Sequence, residues 1–260
     1  LDNHTHTLHF PLELTIIFLL FLSLISYIFA ASVAKTIQWP VYRQVFWILG
    51  IFCIASSLVG PIADHAHNHF VWHMLGHLLL GMLAPLLIVL SAPMTLLLRT
   101  LNVVYARRLS KIMKSKTVGF ISNPFVASIL NIGGLWALYT SYLFEEMHHT
   151  IFLHLFIHLH IFLAGYLFTA SIITIDPTPH RYSFLYRSIV FVVALAGHDI
   201  LSKFIFAHPP INVPITEAQN GAMLMYYGGD AIDIVLISIM CYQWFKSAQP
   251  RLTEKTPVNT

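Results

Sequence analysis

Seven apolar runs, each about long enough to cross the hydrocarbon core of a bilayer as a helix, occupy most of this 260-residue chain. They lie near 12–33, 43–59, 71–98, 122–143, 150–173, 185–207 and 222–245. In lipid every backbone N–H and C=O must be paired inside the segment, so such runs are read as α-helices. With 57% hydrophobic and 10% charged residues, the chain holds more apolar material than a soluble domain of its size could bury. The expected fold is all-α, a polytopic membrane protein with seven transmembrane helices. The third run is long and carries Pro85 and Pro93, which predicts either one kinked, tilted helix or a helix whose last turns lie in the interface. The first run is too long for a signal peptide and lacks its basic flank and small-residue cleavage site, so it is read as a retained helix. The expected organisation is an outer tail over 1–11, a transmembrane domain over 12–246 and a polar, disordered tail over 247–260.

The loops set a direction. Lys and Arg are absent from 1–11, 60–70, 144–149 and 208–221. The alternate connections carry Lys35 and Arg43, six bases between Arg99 and Lys116, Arg181 and Arg187, and Lys246, Arg251 and Lys255. Thirteen of the fourteen basic residues thus fall on one side, with Lys203 inside the sixth run as the exception. The positive-inside rule then predicts an outer N-terminus and a cytoplasmic C-terminus. A net charge of +3 distributed this way points to membrane topology, not to nucleic acid. The two cysteines, Cys53 and Cys241, lie in different runs and form no CxxC pair, so histidine, methionine and carboxylate would supply most of any metal's ligands.

The sixteen histidines are not evenly spread. On this topology His4, His6, His9, His65, His67, His69, His148, His149 and His208 lie at or beside outer connections, and only His180 is cytoplasmic. Exposed histidines taken alone are ordinary polar surface. Inside the helices the pattern is sharper: His73 and His77 open the third run, His154 and His158 the fifth, each pair spaced i, i+4 and hence on one helix face, where two imidazoles can reach one ion. The sixth run adds His198, Asp199 and Lys203, and the seventh adds Asp230 and Asp233. At a rise of about 1.5 Å per residue, His77, His158, His198, Asp199 and Asp230 all fall roughly 9–14 Å below the outer boundary. Ionisable groups in hydrocarbon turn inward and pair, so a common depth predicts a common site. A purely structural polar network is the alternative, with His198 bonded to Asp230 and Asp199 paired with Lys203. The predicted metal ligands are His73, His77, His154, His158, His198 and Asp230. His65, His67, His69, Met74 and Asp199 are outer or supporting candidates. Methionine in a membrane helix is ordinarily filler, but thioethers beside imidazoles suit Cu(I). The glycine pair before Asp230 permits either an unwound turn or close helix packing.

On these residues the chain resembles the multi-helix CtaG family of cytochrome c oxidase assembly factors, the type associated with caa-type oxidases and distinct from the single-span copper chaperone of the same name. The likeness rests on His73-Met74-Leu75-Gly76-His77 running into Met82-Leu83-Ala84-Pro85, on the fifth-run histidines with Gly165 and Leu167-Phe168, on Asp176-Pro177, and on Tyr227-Gly228-Gly229-Asp230. Where family members often carry a tryptophan-proline pair after the fifth helix, this chain reads Thr169-Ala170-Ser171. The resemblance implies a multi-pass protein of the bacterial plasma membrane, needed to assemble an active haem-copper oxidase by handling copper at the outer face. It implies oxidase subunits, and possible exchange with another copper chaperone, as partners.

The working expectation is therefore a non-enzymatic carrier in which His73, His77, His154 and His158 receive copper and the outer histidines collect it. His198, Asp199 and Asp230 would support that site or form a deeper transfer position. Three rivals remain open on sequence. One is an intramembrane zinc hydrolase with an open metal position. Another is a haem-binding electron carrier with axial histidines from the third and fifth runs. The third is a copper importer, for which the inner halves of the helices offer few ligands beyond Ser, Thr and Cys241.

Overall fold

The computed structural model describes residues 3–34, 39–66 and 68–249, with the backbone alone for 3–10 and 148. The described residues are helical and contain no strand. The helices are α1 (Asn3–Val33), α2 (Val41–Leu58), α3 (Pro61–Ala66), α4 (Phe70–Leu90), α5 (Pro93–Thr100), α6 (Val103–Met113), α7 (Lys116–Ile121), α8 (Pro124–Thr140), α9 (Leu143–His149), α10 (Ile151–Ile172), α11 (Phe184–Ala207) and α12 (Ile215–Ala248). Six are long and apolar enough to cross a membrane: Pro11–Val33 within α1, then α2, α4, α10, α11 and α12. The expected span at 122–143 falls on α8, which is apolar but shorter than these. Its start is fixed by Asn123, whose side chain accepts from the Phe125 N–H at 2.9 Å, and by Pro124 in the first turn.

The long third run breaks in two places. A π turn at Leu79–Leu83 interrupts α4, the Ala84 N–H bonding back to the Leu79 carbonyl. Pro85 has no N–H to give the Gly81 carbonyl, and a single π turn absorbs that mismatch without ending the helix. The same carbonyl lies so close to Gly165 of α10 that a Cβ there would overlap it. Past Leu90, Ala92 takes a left-handed φ of 53° and Pro93 starts α5 as a separate helix. The run is thus a helix, a sharp turn and a second helix. The turn at Asp176 caps this second helix: its carboxylate accepts from the Met94 N–H at 3.2 Å, the Thr95 N–H at 2.7 Å and the Thr95 hydroxyl at 2.6 Å.

The connections sort to two ends. At one, the Asn212 amide donates to Glu145 at 2.9 Å and His69 meets Glu217 at 3.0 Å, joining the base-free connections. At the other, Arg43 and Arg99 both lie against Trp39, Tyr186 donates to Asn123 at 2.9 Å, and the Phe184 and Trp244 rings are 5.4 Å apart. The basic connections therefore share an end. Between the ends the core has two main parts. One, rich in methionine and aromatic rings, packs α4, α8, α9, α10, α11 and α12 toward the base-free end. The other joins Leu86, Phe168, Ile172, Phe191 and Leu236 toward the basic end.

Candidate metal centre

Between these two parts of the core lies a cavity of about 30 Å³, lined by His77 and Gly81 of α4, Asn131 of α8, Thr169 of α10, His198 of α11 and Asp233 of α12 among apolar side chains. A water takes up about 10–15 Å³ of such space, so the cavity holds two or three waters, or one ion. His77 and His198 are 5% and 2% exposed. Their ring centroids stand 6.4 Å apart, and none of their four ring nitrogens has a hydrogen-bond partner among the described residues. Each unsatisfied buried polar group costs about 1–3 kcal/mol. Two such imidazoles facing one small cavity are the anomaly that most needs a ligand. With metal–nitrogen bonds of about 2.0–2.1 Å, this centroid separation is the length that one ion bridging two imidazoles in line would need.

Small residues hold both rings. A Cβ at Gly229 would stand 2.6 Å from Cε1 of His198, and one at Gly81 would stand 3.3 Å from Cε1 of His77. The glycine pair before Asp230 thus serves close packing, one of the two roles expected for it. Gly229 and Asp233 lie one turn apart on the same face of α12, and this face, not that of Asp230, borders the cavity. Asp233 is 5% exposed and lies within electrostatic reach of His198, Asp199 and Asp230. Asp199 comes within 3.9 Å of His198, too far for a hydrogen bond. Asp230 and Asp199 are half-buried at the seam of α11 and α12, where Lys203 rests 5.2 Å from the Tyr226 ring.

The remaining expected ligands occupy other places. His73 is buried one turn from His77, with its Nε2 3.0 Å from the Tyr139 hydroxyl. His154 and His158 stack on each other at 4.1 Å, and His158 donates from Nδ1 to the His154 carbonyl at 2.8 Å. His158 acts electrostatically on His77 but lines a separate apolar groove with Leu20, Trp47, Ile51 and Phe162. His160 donates to the Leu130 carbonyl in a second π turn, Ile129–Gly133, which gives it a structural task. Met74 is fully buried, beside Phe70 and across from Gly221. His65 bonds the Pro61 carbonyl at 2.6 Å, and His69 pairs with Glu217 at the base-free end. His67 lies outside the described residues. Cys53 and Cys241 are free thiols on different helices. Among the described residues no group of three His, Cys, Asp or Glu side chains converges to hold a metal. The convergent set is a pair of imidazoles with a carboxylate further along the wall.

Residues 25–247 match the family described as cytochrome c oxidase caa3 assembly factor. The chain is also similar to an uncharacterized protein of Mycobacterium leprae, 32% identical over 156 residues, or 57% of this chain and 24% of that protein. An uncharacterized protein of Mycobacterium bovis is 31% identical over 160 residues, again 24% of its length. The match therefore spans about a quarter of these curated relatives. No solved structure matches the chain.

Proposed function

The chain belongs to the cytochrome c oxidase caa3 assembly factor family, and from that premise we propose that it carries copper to a haem-copper oxidase at the outer face of a bacterial plasma membrane. Copper is its cargo, held between His77 and His198 with Asp233 on the cavity wall. The observation that carries this reading is the pair of buried imidazoles whose nitrogens have no hydrogen-bond partner, facing one cavity from different helices. Imidazole suits copper. The cavity is the size of an ion, too small for a porphyrin or for a substrate beside an activated water. That favours a carrier over the haem protein and the zinc hydrolase. Two firm ligands make a site from which an ion can leave, as a donor protein requires.

The topology follows the charge pattern: α8 is the seventh crossing, the base-free end is outside, and the basic end is cytoplasmic. His73, His154 and His158 then line the approach to the site or pack around it. The partners are oxidase subunits as recipients, with another copper chaperone as a possible donor. The test is complementation of a strain lacking the protein, scoring oxidase activity together with the copper content of purified protein. His77→Ala and His198→Ala should each abolish bound copper and oxidase maturation, while His160→Gln should leave both in place. Wild-type occupancy in both alanine variants would sink the assignment.

A further inference from the structure

We propose that a dry layer containing His73, Met74, Met147 and Met225 selects the cargo of the His77/His198 site, and that it passes copper as the soft monovalent ion Cu(I). The inference rests on the copper reading above and specifies the ion and its route. Histidines recur every fourth residue from the surface inward: His65, His69, His73 and His77. The His65 and His69 rings are 6.4 Å apart, and the His69 side chain is 51% exposed. His69 lines a cavity of about 480 Å³ together with Glu145, His149 and Glu217. These are groups that attract and loosely hold a cation.

Phe70 and Phe144 line the same cavity, their centroids 5.5 Å apart. Phe144 lies 5.1 Å from the His73 ring and 5.8 Å from that of Tyr139, and Tyr139 lies 6.4 Å from the His77 ring. Met74, Met147 and Met225 are 0%, 1% and 0% exposed in the same cluster, which also contains Leu135, a wall residue of the inner cavity. The end cavity and the inner cavity are thus separated by one layer of aromatic rings, thioethers and an imidazole. None of the residues named in that layer is a carboxylate.

An ion crossing such a layer must shed its water. The Born penalty grows with the square of the charge, so a divalent ion loses about four times what a monovalent ion of the same size loses. What the layer returns is chiefly coordination by neutral thioether sulfur, which suits Cu(I) better than the harder divalent ions, while the one imidazole serves either charge state. Methionine, with three rotatable bonds, can swing between packing and coordinating positions. Packing alone would also place methionine here, and the two roles separate experimentally. Methionine to leucine conserves volume and removes sulfur.

The experiment uses the full chain purified in detergent and follows transfer of Cu(I), or of Ag(I) as its redox-inert analogue, from a coloured chelator. Wild type should load the inner site with either ion and not with Zn(II). The Met74→Leu/Met147→Leu/Met225→Leu variant and His73→Leu should reach the same final occupancy at least tenfold more slowly. Should the triple variant fail to fold, the single Met147→Leu variant decides, with slower loading expected. Wild-type loading rates in the folded variants, or Zn(II) loading as fast as Ag(I), would overturn the selective layer and leave the copper reading intact. Failure of wild type to take up either ion overturns both.

Discussion

Adding one methyl group at Gly229 separates the position of the His198 ring from its identity. A Cβ at this site would stand 2.6 Å from Cε1 and 3.1 Å from Nδ1 of His198, whereas ordinary contact begins at 3.4 Å. The ring must therefore retreat by about 0.8 Å, the difference between 3.4 and 2.6 Å, in a core packed as densely as an organic crystal. Overpacking of this kind costs about 1–3 kcal/mol. Replacing glycine by alanine inside a helix returns about 1 kcal/mol. Gly229→Ala should consequently fold, losing no more than about 2 kcal/mol. Its metal affinity should suffer more, because ligand distances are useful only within about 0.2 Å of their ideal values. We expect a loss of about ten- to a hundredfold, the range seen when a ligand's supporting shell is disturbed. The assay is competition for Cu(I) against a chromophoric chelator, with size-exclusion profile and thermal unfolding as checks on the fold. Gly133→Ala is the matched control, since its Cβ meets only Ile129 Cγ2, at 3.7 Å. A folded Gly229→Ala protein with wild-type affinity would falsify the claim that His198 is a positioned ligand.

Gly165→Ala should be far more damaging, because its Cβ would overlap the Gly81 carbonyl and backbone cannot swing aside; we expect a loss of about 3 kcal/mol or more, read as a collapse of the monodisperse fraction in detergent. Asp176→Ala removes the acceptor for two N–H groups at the start of α5 and should lower thermal stability by about 0.5–2 kcal/mol without changing copper occupancy. Tyr139→Phe deletes the hydroxyl 3.0 Å from His73 and should cost about 1 kcal/mol of stability, measured by thermal unfolding.

The long apolar elements were legible because lipid forces the backbone into helices, and the grouping of base-free and basic connections at opposite ends matches the charge alternation along the chain. Depth counting brought His77 and His198 to one level, and they face each other in the fold. It could not rotate the helices. The fifth run is apolar on every side, so nothing in its periodicity says that His158 faces the groove with Trp47 while Thr169 faces the cavity. On α12 a signal did exist. Asp233 lies one turn from Gly229, the residue that packs on His198, whereas Asp230 is about 100° further round the helix. The π turn of α4 was not legible, because it depends on how Pro85 and the Gly81 carbonyl are met by Gly165 across the interface. Lys203 broke the charge rule in sequence and sits exposed beside Tyr226, where its long stem can carry the ammonium toward the membrane surface.

The most direct test of the central claim is X-ray absorption at the copper edge on the loaded protein. Two imidazoles should appear as a nitrogen shell near 2.0 Å with the multiple scattering of the ring behind it. In His77→Ala and in His198→Ala the bound copper, and with it that ring signal, should disappear, while His154→Ala/His158→Ala keeps the wild-type spectrum. An unchanged two-imidazole spectrum in both single variants, or its loss only in the His154/His158 pair, would place the ion elsewhere and contradict the account.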